Sequence, residues 1–153
     1  MVRMILAVAV ATSLLACKAD PAPSPLAAAA TAGTRDAELS HPHPILHVRS
    51  LAASQTYYRD VLGFKVDWDH GDPPSFGAVS RGDASIFLCQ GCVGPPGAWM
   101  MIFARDVDKL YDELRSRHAL IRLPPTNMPW QLREMHVADL DGNVIRFGSS
   151  IPE

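Results

Sequence analysis

MPWQLREMHVADLDGNVIRF, residues 128–147, is the stretch whose reading decides the fold. Pro129 and Trp130 set a large aromatic at the mouth of a strand. Met135, Val137 and the residues between them alternate apolar and polar, the period of a half-buried strand. Asp141-Gly142-Asn143 is a tight-turn signal: Gly and Asn tolerate positive φ, and Asp bonds nearby backbone amides. Val144, Ile145 and Phe147 form the return strand. The stretch therefore reads as a β-hairpin with an aromatic at one end.

Working outward, the same grammar appears twice. Pro44–Val48 is a short strand, and its prolines suit an edge or a chain entry. Leu51–Val61 has helical spacing, with Ser50 or Ser54 as its cap, and Gly63 stops it. Phe64–Trp68 alternates as a strand. A loop over His70–Ser75 follows, then strands at Phe76–Ser80 and Ser85–Leu88 joined by Arg81-Gly82-Asp83. The second pass runs through a strand at Trp99–Phe103 and a helix capped by Asp106, carrying Val107, Leu110, Tyr111 and Leu114 on one face. A short strand at Leu120–Leu123 precedes the hairpin. Ser50 matches Asp106 and Asp83 matches Asp141, so one βαβββ unit occurs twice. The fold class is α+β: two paired βαβββ units forming a curved mixed sheet with a concave groove.

Asp-x-Asp-Gly-Asn between two strands, preceded by Pro-Trp and Arg-Glu, resembles the close of the glyoxalase/bleomycin-resistance/dioxygenase (vicinal oxygen chelate) superfamily, its bleomycin-resistance branch in particular. YYRDVLGF, RGDASIFL and AWMMIFARDVDKLYDEL are similar to that pattern as well. The resemblance covers Pro44–Gly148, and the motifs are specific in this order and spacing. Leu140 stands where the family has Pro, and Gln131 where it often has Gly.

Many enzymes of that superfamily hold a divalent metal with four His, Glu or Gln side chains. Counting along the motifs, the resemblance puts His43, Gln90, Trp99 and Arg146 at those places. Indole has no lone pair to donate and guanidinium repels a cation. The expectation is therefore no metal and no cofactor, with His43 and Gln90 the weak candidates and His47 and His136 as rivals. The resemblance also puts aromatics of the bleomycin-resistance pattern at Trp68, Phe76, Trp99 and Trp130. Such rings stack on flat cations, and Asp67, Asp69 and Asp72 lie close in sequence to two of them. The expected function is non-catalytic sequestration of a planar, cationic small molecule such as a bleomycin-type antibiotic, in grooves shared by a homodimer. No catalytic residue is nominated. The alternatives are a metal-dependent lyase, isomerase or dioxygenase with a reorganised site, and an interaction module without a small ligand.

Composition sets bounds. The chain has 153 residues, 48% of them hydrophobic and 20% charged, and a net charge of −2, ordinary for one globular domain and without the basic field that nucleic acid requires. Arg3 followed by an apolar run from Met4 to Ala16, too short to span a bilayer, reads as a signal peptide over residues 1–16. Leu14-Leu15-Ala16-Cys17 resembles a bacterial lipobox, which makes Cys17 the expected lipidation site, with plain signal-peptide cleavage and an uncleaved anchor as the alternatives. Residues 17–40, rich in Ala and Pro, read as a tether, leaving 41–153 as the domain. The expectation is an exported lipoprotein facing the periplasm or cell exterior. Cys89-Gln90-Gly91-Cys92 is a CxxC open to three readings: a disulfide, a redox pair or half a zinc site. A structural or incidental pair is the default, because the motif ends a strand instead of opening a helix.

Overall fold

The computed structural model describes residues 41–151. The segments read as a signal peptide and a tether, and Cys17 between them, lie outside the described residues. Strand β1 (Ile45–Val48), helix α1 (Leu51–Asp60) and strands β2 (Lys65–Gly71), β3 (Pro74–Arg81) and β4 (Ala84–Gln90) form the first unit. The second comprises β5 (Trp99–Phe103), α2 (Val107–Ser116), β6 (Leu120–Asn127), β7 (Leu132–Ala138) and β8 (Val144–Ser150). The sheets order as β1-β4-β3-β2 and β5-β8-β7-β6. In each the first strand is parallel to the last and all other pairs are antiparallel. This is the repeated unit expected, and Ser50 and Asp106 cap the two helices.

Two segments differ from the expectation. The second strand of each unit is longer: β2 and β3 form a tight hairpin through Asp72-Pro73 where a loop was expected, and β6 continues through Pro124 and Pro125 to Asn127. Both prolines are tolerated because β6 is an edge strand, and its register slips between Leu123 and Thr126.

Each sheet has one face turned to a shared core. Leu46, Val48, Tyr58, Ile86 and Leu88 of the first unit join Leu114, Met135, Val137, Ile145 and Phe147 of the second in a single cluster. A buried side chain of this size contributes roughly 1.5–3 kcal/mol, so this cluster is the main force joining the units. Because both helices and both inner faces are committed to it, the opposite face of each sheet is left for other work.

The Asp139–Asn143 turn locks the join. The Asp139 carboxylate accepts from the amides of Asp141 and Asn143, from Asn143 Nδ2 and from the Tyr58 hydroxyl. Asn143, fully buried, accepts from Gly97 and Ala98 N–H and donates to the His47 carbonyl. Asp141 accepts from Arg49 and from the Ser54 hydroxyl. Burial, then the Asp139 charge, pushes the Tyr58 phenol well above its ordinary pKa, so it remains a donor at neutral pH. The motif that marks a tight turn in sequence is also the polar clasp between the two units.

Candidate functional site

The outer face of the first sheet is aromatic. Trp68, Phe76 and Phe87 form a mutual cluster with ring centroids 5.4–5.7 Å apart, and the His43 imidazole lies flat on Phe87 at 5.0 Å. Strand pairing produces this: Trp68 and Phe87 both pair with Ala78, and Phe76 is two residues before it on β3. Trp68 remains 43% exposed, so a ring face is open. Of the acids near it, Asp67 is held by Ser80 and Lys65, while Asp69 and Asp72 are exposed.

The outer face of the second sheet is ionic. Glu134 on β7 is completely buried, yet its carboxylate is fully engaged. One oxygen accepts from the Trp130 indole and the other from Nε and an Nη of Arg146 on β8. Burial pushes this carboxyl up, but the bonds from Trp130 and Arg146 outweigh it, and the net shift is downward. Arg146 also lies 5.6 Å from the centre of the Trp130 ring. His136 points Nε2 at Glu134 from 3.5 Å, beyond good hydrogen-bond geometry, and meets Trp99 edge-on at 5.6 Å. Trp99 and Trp130 are 63% and 55% exposed.

The four aromatics singled out from the sequence thus fall into two groups, one on each sheet. Trp68 and Phe76 touch; Trp99 and Trp130 flank the Glu134 cluster; no ring contact joins the groups among the described residues. Glu134 is the residue that sequence reasoning missed, since it enters there only within the Arg-Glu pair of the motif; Phe87, on a strand, reads in sequence as a core residue with lining the groove as the alternative. The signal for both is register. Helix caps 56 residues apart make Ile45 equivalent to Met101; these pair with Phe87 and Arg146.

That register corrects the metal-ligand set. Phe87, not Gln90, is the counterpart of Arg146, as His43 is of Trp99. Gln90 faces elsewhere, its amide oxygen accepting from Leu51 N–H at the start of α1. A phenyl, an indole and a guanidinium at three of four places do not fit a divalent cation. Among the described residues no three His, Cys, Asp or Glu side chains converge. His47 is spent differently again: its ring is on the outer face, opposite Cys89, with Nδ1 buried and unpartnered. Cys89 and Cys92 are joined as a disulfide, with Cα atoms 5.7 Å apart.

Two adjoining cavities lie elsewhere. One, about 480 Å³, is bounded by Phe64, Arg81, Phe103, Arg105 and the first turns of α2. The other, about 600 Å³, lies between the approach to β1, the β3–β4 turn and β5. None of the four aromatics lines either one, and Arg81 at their junction is already bound to Glu113 and the Leu62 carbonyl.

Comparison with known proteins agrees with this architecture. Residues 39–147 match the model of the glyoxalase/bleomycin resistance protein/dioxygenase superfamily. No curated protein matches the chain. Among solved structures, a member of that superfamily from Sphaerobacter thermophilus is 25% identical, with a TM-score of 0.60 over 72% of this chain and 97% of its own. TioX from Micromonospora sp. ML1 is similar at 19% identity and TM-score 0.63, covering 72% of this chain and all of its own. A lactoylglutathione lyase from Agrobacterium tumefaciens matches at 18% and 0.59, over 71% and 92%. With a family match over most of its length and the paired βαβββ units in place, the chain belongs to the glyoxalase/bleomycin resistance protein/dioxygenase superfamily.

Proposed function

We propose that this protein binds a planar, cationic small molecule, of the type that bleomycin-like antibiotics represent, and holds it without chemical change. The observation that carries this is the Trp68–Phe76–Phe87 cluster, an open aromatic surface on a sheet whose other face is buried. A stacked aromatic contact contributes about 0.5–1.5 kcal/mol and a cation over a ring about 0.5–2 kcal/mol. The exposed acids of this hairpin stand apart from the rings: Asp69 pairs with Gly77 on the opposite face of β2 from Trp68, and Asp72 is in the turn, so the rings themselves carry the contact. The donor set at His43, Phe87, Trp99 and Arg146 gives a metal-dependent reaction no foothold.

Either outer face alone offers one wall. A homodimer in which the first sheet of one chain faces the second sheet of its partner closes two grooves, each with Trp68 and Phe76 opposite Trp99 and Trp130. The apolar run and lipobox-like Leu14-Leu15-Ala16-Cys17 support, as part of this proposal, export of the protein and a lipid anchor on Cys17. Titrating intrinsic tryptophan fluorescence with bleomycin and a panel of planar cations tests the binding. Saturable quenching is expected, and silence across the panel sinks the proposal. Sedimentation showing a monomer at binding concentrations removes the shared groove.

A further inference from the structure

We infer that His136 is a hydrogen-bond acceptor that selects, among flat ligands, those carrying an N–H or O–H donor. This rests on the binding function proposed above and names the ligand chemistry of that same face. Three observations converge on one imidazole.

The first is the carboxylate behind it. Glu134 is completely buried, held ionised by Trp130 and Arg146, and lies 3.5 Å from His136 Nε2. A fixed negative oxygen on that side favours the tautomer with the proton on Nε2, because a lone pair aimed at a carboxylate is repelled. The second is the asymmetry of the ring. Nε2 is buried, whereas Nδ1 keeps access to solvent and has no hydrogen-bond partner among the described residues, in a side chain 16% exposed. With the proton on Nε2, Nδ1 presents a lone pair outward. The third is the frame. Trp99 stands edge-on to the imidazole and Trp130 lies across Arg146. Both indoles are more than half exposed, so the surface around the imidazole is open to a flat molecule.

The groups facing His136 are Glu134 on its own strand, Arg146 directly opposite on β8 and Trp99 on β5. Arg146 is committed to Glu134, so the pair presents little net charge and leaves the imidazole as a polar group free to meet a ligand. An N–H or O–H on the ligand fills that vacancy. A ligand lacking one leaves Nδ1 desolvated and unpaired, which is the costly case. Glu134 acts here as a positioning residue, through the tautomer it imposes.

Calorimetric titration with 9-aminoacridine and 10-methylacridinium tests this. Both are flat monocations at neutral pH, but only the first carries N–H donors. The expected result is tighter binding of 9-aminoacridine by about tenfold, the scale of one buried hydrogen bond, with the ratio falling to about one in His136→Phe. Equal affinities in the native protein, or a preference unchanged in His136→Phe, overturn the inference while leaving the binding function standing. Binding of neither cation overturns both. Ring ¹⁵N NMR of the free protein is independent of any ligand: the Nε2–H tautomer is expected, less populated in Glu134→Gln. A dominant Nδ1–H tautomer overturns the inference whatever the titrations give.

Discussion

On the first sheet Phe76, Ala78 and Phe87 stand at the places that Glu134, His136 and Arg146 occupy on the second. The backbone plan, the strand order and the capped helix are the same. On one face three rings close on each other; on the other a carboxylate, an imidazole and a guanidinium do. The positions are equivalent in geometry and unlike in chemistry, so duplication here fixes where a side chain points and not what it is for. The turns diverge in the same way. Each reaches across to the other unit, Arg81 of the first to Glu113 on α2 and Asp139 of the second to Tyr58 on α1. Arg81 and Glu113 are both about a third exposed, whereas Asp139 and Asn143 are buried.

That difference in burial is the sharpest point at which to break the comparison. Asn143→Ala removes partners from the amides of Gly97 and Ala98, the His47 carbonyl and Asp139. Its cost should be about 3 kcal/mol or more, since each buried group left unpaired costs about 1–3 kcal/mol. Arg81→Ala opens only an ion pair about a third exposed and one carbonyl contact and should cost about 1 kcal/mol. Urea denaturation of both variants measures this. Equal losses would mean that the two turns bear equal weight in joining the units.

The ionic face gives a pH signature that the aromatic face lacks. The Glu134 carboxyl is held below its ordinary value when folded. Its contribution to stability is therefore fully present above the unfolded-state value, about 4.3, and is lost as pH falls through the lower folded value, because the unfolded chain then binds more protons. Glu134→Gln should cost about 2 kcal/mol at pH 7, the scale of a hydrogen bond to a charged group, and should flatten stability against pH below about pH 5. Phe76→Ala should lower stability without altering that slope. Denaturation midpoints from pH 3 to 7 separate them, and an unchanged slope in Glu134→Gln would show that the carboxylate is not preferentially ionised in the fold.

Ligand binding should then separate the two faces by a smaller margin. Trp68→Ala removes an exposed ring from the aromatic cluster and should weaken a planar cation about tenfold, near 1.4 kcal/mol. Trp130→Ala should weaken it less, because Arg146 already lies against that ring. Fluorescence or calorimetric titration ranks them. A larger loss from Trp130 would move the principal contact to the second sheet.

Periodicity and turn chemistry made the paired units legible, because alternation, caps and glycine stops are local signals. Trp99–Phe103 was readable to the residue for that reason. Pro124 and Pro125 hid half of β6, since edge position is a tertiary fact that overrides the rule against proline in strands. Gln90 looked like a donor because distance along the motif does not reveal which side of a strand a residue is on. Phe87, three residues earlier and on the opposite side, does the facing. Glu134 was invisible as a site residue because its chemistry comes from Arg146, twelve residues away across a turn, and from Trp130 in the loop before it.

The helix caps, finally, offer the mildest test of how alike the two units are. The Asp106 carboxylate accepts from the amides of both Asp108 and Lys109 at 3.1 and 3.0 Å, and those bonds hold its pKa down. Ser50 accepts only from Ala53, at 3.4 Å. A carboxylate at this place also meets the positive end of the helix, which a hydroxyl does not exploit. Asp106→Ala should therefore lower the urea midpoint about twice as far as Ser50→Ala does, at an unchanged slope. The Leu51 amide in the first turn of α1 already has Gln90 as acceptor, so the first helix has a second support that a serine cap alone would not reveal. If Ser50→Ala proves the more damaging, that glutamine is not sharing the capping load and the two helix starts are less alike than their sequences make them.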